Sequence, residues 1–536
     1  MAPTAIVVGA GTGGIATAAR LAKQGFQVTV VEKNGFIGGR CSLIRDNGYR
    51  FDQGPSLLLM PEIFHEAFTD LGTSLEAEGV ELLKSEPNYR IWFADNDKLD
   101  LSTDIARLKP QIERYEGRDG FNQFLAFMQE SRRHYELSLI HVLRRNFPSL
   151  FSMLRLGFMQ SVFTMHPFES IYTRASRYFH SEKIRRVFTF ASMYLGMNPY
   201  EAPGTYSLLQ YTEFADGIWY PTGGFQKVLE CLANVGQRFG VHYRLNSPVS
   251  SIILSEDNRT ATGVILSSGE RLHADVVIVN ADLVYAYNNL LPSSKEARRL
   301  QARPASCSSV SFFWSFDRVI PELQPHNIFL ADEYQESFDS IFKDHQLPDE
   351  PSFYVNVPSR IDPTAAPEGK DAVVVLVPTG HITNDSNSDD YEILVAKARE
   401  TAFNIIETRT GASGLRESLV HEYVETPFSW KDKFNLDRGA ILGLSHSFFN
   451  VLSFRPKSKH PNIDGLYFVG ASTHPGTGVP VCLAGGKLVS EQVIADWMRR
   501  DTKGASIWTI LSLLVAVASL VPLWAFLSVG SLTDSI

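Results

Sequence analysis

The chain commits to its fold within its first thirty-two residues. An apolar run from Thr4 breaks on Gly9-Ala10-Gly11-Thr12-Gly13-Gly14, continues as a helical stretch, and leads to a second apolar strand, Gln27-Val28-Thr29-Val30-Val31, closed by Glu32. Strand, glycine turn, helix, strand and acid in this register describe a dinucleotide-binding βαβ unit. Gly9 permits the tight turn, Gly11 lets the backbone approach a pyrophosphate, Gly13 continues the turn, and Gly14 allows close helix-to-strand packing. Glu32 is placed to accept a ribose 2′-hydroxyl and to repel a 2′-phosphate, with Lys33 next to it.

Gly38-Gly39-Arg40 follows, then Tyr49-Arg50-Phe51-Asp52-Gln53-Gly54-Pro55-Ser56. An arginine after a flexible glycine pair brings a planar fork to a phosphate, which a lysine does less well. Together with the glycine fingerprint, this run resembles the extended signature of FAD-binding amine-oxidase-type flavoproteins and puts FAD ahead of NAD.

At 536 residues the chain exceeds one ordinary core, so two or more interleaved units are expected. Apolar content of 44% and charged content of 20% describe a globular protein, and a net charge of −9 argues against general nucleic-acid binding. Cys41, Cys231, Cys307 and Cys482 are scattered, with no Cys-x-x-Cys and no histidine at metal-ligand spacing. They read as reduced thiols facing the cytosol, without a zinc site, and the sequons at Asn258 and Asn384 are expected to go unused. With only Met1-Ala2-Pro3 ahead of the first strand, no signal or transit peptide is expected.

The stretch from Ala505 to Leu532 carries no charge, and Ile507 to Val529 is almost continuously apolar. As a helix that core would span about 35 Å, enough for a hydrocarbon layer of about 30 Å, and Trp508 and Trp524 stand near its ends. Residues 505–532 are therefore expected to be a transmembrane tail anchor that holds the rest in the cytosol, with the endoplasmic reticulum as the expected membrane.

The expected fold is α/β: a Rossmann-type FAD-binding domain assembled from residues 1–99, 223–284 and 456–504, and an interleaved α+β substrate domain from 100–222 and 285–455. In the first insertion, helical periodicity runs from Phe121 through Tyr194. In the second, strands are expected at Ser308–Phe316 and Asp371–Val377 and a helix at Glu392–Arg409. Between them, Val249–Leu254, Ala261–Leu266 and Arg271–Ala274 read as a β-meander, and Asp275–Ala281 as a buried strand beside a cofactor. The stretch from Arg132 to Arg186 is basic and rich in Phe and Tyr. It suits an interfacial membrane face and equally a solvated basic face over an aromatic core.

Near the carboxy end stands Tyr467-Phe468-Val469-Gly470-Ala471-Ser472-Thr473-His474-Pro475-Gly476-Thr477-Gly478-Val479-Pro480, followed by a helical stretch from Leu483 to Trp497. With the amino-terminal fingerprint, Asn198-Pro199-Tyr200 and Gly217-Ile218-Trp219-Tyr220-Pro221-Thr222-Gly223-Gly224, this run resembles the bacterial and fungal type of phytoene desaturase, a family of carotenoid dehydrogenases. Val481 and Gly485-Gly486 depart from that family's usual residues. The resemblance implies a C40 polyene drawn from the membrane and dehydrogenated by hydride transfer to flavin N5 with loss of a proton. It also places Gly39, Gly54, Pro55, Ser56, Val249, Gly470, Gly478, Val479 and Pro480 along the FAD.

His474, Glu213, Asp216 and Trp219 are the candidate groups near the flavin. His474 either structures its loop or acts in catalysis; Glu213 and Asp216 either stabilise an allylic cation, take its proton, or are surface charges. One dinucleotide fingerprint makes oxygen or a membrane quinone a more economical electron acceptor than NAD(P), which stays open as a diffusing acceptor. A carotenoid isomerase, a retinol saturase relative, an amine oxidase and a non-catalytic prenyl-lipid escort protein are the competing readings. Whether the chain forms a homo-oligomer is not readable.

Overall fold

The computed structural model describes residues 2–499. Its amino-terminal strand Thr4–Val8 pairs in parallel with Gln27–Val31 on one side and Val276–Val279 on the other. His242–Arg244 and Leu466–Phe468 complete a five-stranded parallel sheet from its two edges. A parallel sheet is covered on both faces, and the central strands accordingly read as continuous apolar runs. On one face the helix Thr12–Lys23 packs against the helix Phe225–Arg238, where Gly236 lies over Ala19.

A helix begins at residue 479 and crosses Thr12–Lys23 at Gly486. A Cβ at Gly486 would stand 2.8 Å from the Ala16 Cβ and 3.1 Å from the Gly13 carbonyl oxygen. The departure Gly485-Gly486 thus lies inside a helix, where a missing side chain brings two helices together. The three-stranded meander Val249–Leu254, Ala261–Leu266 and Arg271–His273 forms its own small sheet.

A second, mixed sheet has seven strands in the order Leu419–Glu425, Ser308–Phe316, Asp371–Thr379, Phe353–Asn356, His326–Phe329, Tyr89–Trp92 and Lys98–Leu101. The expected 99/100 boundary falls inside the last hairpin, and both of its strands belong to this sheet. The helix Ser388–Thr410 covers one face, where Phe403 stacks on Trp314 at 4.2 Å.

The insertion expected to be helical from Phe121 to Tyr194 is helical in pieces. The helix Gly120–Ser138 turns Phe121, Phe124, Phe127, Ser131, His134 and Tyr135 inward at three-to-four-residue spacing. Phe124 and Phe127 meet Phe179, Phe188 and Phe214 with ring centroids between 5.3 and 5.8 Å. Each buried ring contributes about 1.5–3 kcal/mol of transfer free energy. Beyond Leu143 the path continues as short helices and turns, with Pro148 and Pro167 standing between them.

The chain divides into a large unit, Met1–Val489, and a second unit from Ser490, whose described part, 490–499, is helical. The expected membrane span at 505–532 lies outside the described residues. Among the described residues, no helix is long and apolar enough to cross a membrane.

Helix propensity alone favours Ala over Gly by about 1 kcal/mol. Gly486→Ala is nevertheless expected to destabilise the protein by about 1–3 kcal/mol through overpacking against Ala16. A lowered midpoint in thermal unfolding checks this, and a raised one contradicts it.

Candidate active site

The glycine turn is a close fit of backbone against backbone. A Cβ at Gly14 would lie 2.2 Å from the Gly9 carbonyl oxygen, and one at Gly11 2.7 Å from Asn280 Nδ2. Gly9 itself has φ +100°, which disfavours any other residue. Gly11 caps the helix Thr12–Lys23 with no side-chain acceptor on its first N–H groups, so they are left for an anion. Glu32 is buried, and its two carboxylate oxygens are held separately: Ala10 N–H donates to Oε2 at 2.8 Å and Asn34 N–H to Oε1 at 2.8 Å. Asn34 Nδ2 also donates to Oε1, at 3.1 Å, so these charge-assisted bonds fix the carboxylate and leave Oε2 with a lone pair for a hydroxyl.

Gly38 N–H donates to the Ala10 carbonyl, which brings the Gly38-Gly39 turn against Gly11 and carries Arg40 to the same place. The Arg40 guanidinium donates to the Ile441 carbonyl, and burial holds its pKa below the usual arginine value. Lys33 donates to the Asp432 carbonyl at 2.5 Å and to Asn435 Oδ1 at 2.8 Å, tying the strand end to the opposite loop.

Gly9, Gly11, Glu32, Lys33, Arg40 and Ile441 line one cavity of about 810 Å³. Of the sixteen positions expected to hold cofactor, Gly9, Gly11, Gly13, Glu32, Lys33, Gly39, Arg40, Gly54, Pro55, Ser56, Val249, Gly470, Gly478, Val479 and Pro480 line it. Gly14 stands behind the wall, where it sets the helix against Gly9. The cavity then leaves the cradle and runs between the second sheet, with Leu376 and Tyr354, and the helical insertion, with Phe158, Val162, Met193 and Leu208. Helix N-terminus, ribose acid, phosphate arginine and glycine cradle fit FAD. The far end has the apolar lining that a hydrocarbon requires.

A family model described as flavin containing amine oxidoreductase matches residues 12–494. The chain belongs to that family. It is an FAD-dependent oxidoreductase. This flavoenzyme is 59% identical to a phytoene desaturase of Fusarium fujikuroi over 92% of its own length and 89% of that protein's. It is 38% identical to a zeta-carotene-forming phytoene desaturase of Myxococcus xanthus, over 91% of its own length and 93% of the other. Its fold matches the cyclohexylamine oxidase of Brevibacterium oxydans with a TM-score of 0.58 at 17% identity, covering 92% and 100% of the two chains.

The four residues expected near the flavin do not line the cavity of this flavoenzyme. The buried His474 has its Nε2 2.7 Å from the Arg145 carbonyl and its ring 5.0 Å from Phe147. It fastens the glycine loop to the helical insertion, and burial lowers its pKa to about 4. Trp219 exchanges main-chain hydrogen bonds with Leu58 behind the cavity wall, and its Nε1 donates to the Asp216 carbonyl. Asp216 is raised by burial and by the charge of Glu62. Glu213 is buried, and desolvation pushes its carboxyl up to about 8 against the lowering effect of a hydrogen bond from Tyr89.

Asp52 and Arg50 of the expected signature also lie behind the wall. Tyr220 and Phe225 N–H donate to Asp52, and Arg50 pairs with Asp362 at 2.5 Å. Tyr194, Tyr354 and Asp282 do line the cavity, and sequence reasoning missed them because they come from separate elements with no common local pattern. The four cysteines are free and buried.

Glu130, His134 and His166 also converge, a grouping hidden from the sequence reading by the remoteness of His166. Arg174 occupies Glu130, while both His134 nitrogens are engaged by Ser207 and the Thr164 carbonyl.

Because His474 is neutral when folded, its stabilising contribution is present above its unfolded pKa of about 6.5 and lost as pH falls towards 4. His474→Gln should therefore lose less unfolding temperature than the wild type between pH 6.5 and 4.5. An equal loss contradicts the neutral buried imidazole.

Proposed function

We propose that the protein is a phytoene desaturase, which introduces several conjugated double bonds into a C40 carotene. The observation that carries this is the 59% identity to the Fusarium enzyme, sustained over 92% of the chain. When bound, FAD supplies the hydride acceptor. The protein's part is positional: Glu32, Arg40 and the uncapped helix end hold the dinucleotide, and the apolar stretch of the cavity holds the polyene with water excluded. A hydrocarbon has no polar handle, so its register is set by the shape of that lining.

The route of entry follows from the segment 140–168. In the helix Leu156–Val162, Leu156 and Met159 are exposed while Phe158 and Val162 line the cavity. Phe151, Phe163 and Phe168 are each more than three-quarters exposed beside them, and Arg144 and Arg145 lie on the same segment. A surface of aromatic and aliphatic side chains with arginines among them suits the headgroup boundary of a bilayer. The carotene passes from the bilayer into the cavity through this patch. The apolar stretch 505–532 anchors the chain in the endoplasmic reticulum, and oxygen or a membrane quinone takes the electrons.

The full-length enzyme, given phytoene in liposomes, should yield a series of products whose absorption moves to longer wavelength as conjugation grows. Unchanged phytoene with flavin bound and chemically reducible removes the assignment. In the chain shortened to residues 1–504, Phe151→Ser with Phe163→Ser should weaken liposome co-flotation of the protein while leaving its flavin content unaltered. Unchanged flotation argues that this patch faces water.

A further inference from the structure

Behind the cavity wall lies a short chain of hydroxyls ending on a carboxyl. Tyr194, one of the residues lining the cavity, donates to the Tyr89 hydroxyl at 2.7 Å, and Tyr89 donates to Glu213 Oε1 at 2.9 Å. The three residues come from separate places: a turn of the helical insertion, the second sheet, and a single π-helical turn, Thr212–Asp216. Asn88, next to Tyr89, locks that turn by donating to the Glu213 carbonyl at 2.6 Å. Tyr89 and Glu213 are buried and do not reach the cavity.

Both hydrogen bonds point the same way, away from the cavity and towards the carboxyl. With Glu213 ionised, Tyr89 spends its proton on Glu213 and Tyr194 spends its own on Tyr89. That leaves the oxygen of Tyr194, a residue of the cavity lining, free to accept. Among the described residues, the titratable groups around this chain are Tyr354 and His326. Tyr354 is held by Ser56 at 3.0 Å and His326 at 2.7 Å, and burial keeps His326 neutral with a pKa near 3. No ion pair fixes the Glu213 charge among the described residues, so a proton can reside there.

We infer that Tyr194, Tyr89 and Glu213 form a proton relay that takes up the proton lost from the substrate in a desaturation. This deepens the desaturase reading and rests on it. The carbon–hydrogen bond breaks at one carbon, and its electron pair becomes the new double bond as a hydride leaves the neighbouring carbon, for which FAD, when bound, would supply the acceptor. The proton passes to the Tyr194 oxygen, the Tyr194 proton to Tyr89, and the Tyr89 proton to Glu213, which ends as a neutral carboxylic acid. Two electrons and one proton leave as hydride, and the second proton is stored on Glu213. The burial that raises the Glu213 pKa makes it a receptive store near neutral pH.

The test uses the full-length holoenzyme with phytoene in liposomes, and follows anaerobic flavin reduction against pH. The wild-type rate should rise with pH and level off above about 8. Tyr89→Phe and Glu213→Gln should slow reduction by about 10²-fold or more with KM unchanged and flavin retained, and should abolish that rise. Glu213→Asp should recover part of the rate.

Infrared titration of the same holoenzyme needs no turnover. The carboxylic acid band lost in Glu213→Gln should titrate near 8 in the wild type. In Tyr89→Phe its midpoint should move higher, because the bond that stabilises the ionised form is gone. A wild type that desaturates phytoene, with variants that keep its rate and pH profile, overturns the relay alone. So does a midpoint unmoved by Tyr89→Phe. A wild type that leaves phytoene unchanged overturns the desaturase reading and the relay together.

Discussion

Everything in the active site depends on how closely one helix can approach one strand. The Gly9 carbonyl lies where a Gly14 Cβ would be, so only glycine lets the helix Thr12–Lys23 start at this distance from the sheet. That approach aims the uncapped helix end into the cavity and sets Ala10 N–H against Glu32. It also leaves the space that the Gly38-Gly39 turn fills, and through it the position of Arg40. On the far side of the same helix, Gly486 admits another helix at similarly short range. A methyl group at either contact propagates into the cradle, because packed interiors do not absorb such shifts locally.

The second requirement is a wall for a substrate with nothing polar to grip. The parallel sheet supplies charge and backbone donors at one end of the cavity. The mixed sheet and the helical insertion supply Leu376, Phe158, Val162 and Leu208 at the other. Polar groups are present in the second half, but they are kept behind the lining or satisfied by one another, as in the Ser56–Tyr354–His326 set. A pocket of this kind recognises length and curvature. The proton, unlike the hydride, needs a protein acceptor, and Tyr194 on the lining, backed by Tyr89 and Glu213, is proposed to provide one.

What could be read in advance was what local sequence controls. The strand Ser308–Phe316 is found with its expected bounds, as are Val249–Leu254 and Ala261–Leu266, because alternation, β-branching and turn residues act over a few positions. The glycine turn was readable because Gly9 and Gly14 answer steric demands within their own βαβ unit, whereas Gly11 and Gly13 are also pressed by Asn280 and Val469 from later in the chain. The helical insertion was readable in kind but not in detail, since prolines and tertiary contacts cut it into turns. His474 sits in the most distinctive motif of the chain, yet its ring points at Arg145, 329 residues earlier, and no local pattern records that choice. Tyr89, Tyr194 and Glu213 escaped as a group for the same reason: their partnership exists only after the sheet and the insertion have closed on each other.

The central claim is that cofactor and carotene share one cavity and react within it. Mixing the oxidised holoenzyme with phytoene in the absence of oxygen, and following the flavin absorption through a single turnover, tests it directly. The account predicts bleaching of the flavin band in step with the appearance of one equivalent of a more conjugated carotene. Phytoene that binds while the flavin stays oxidised would contradict it.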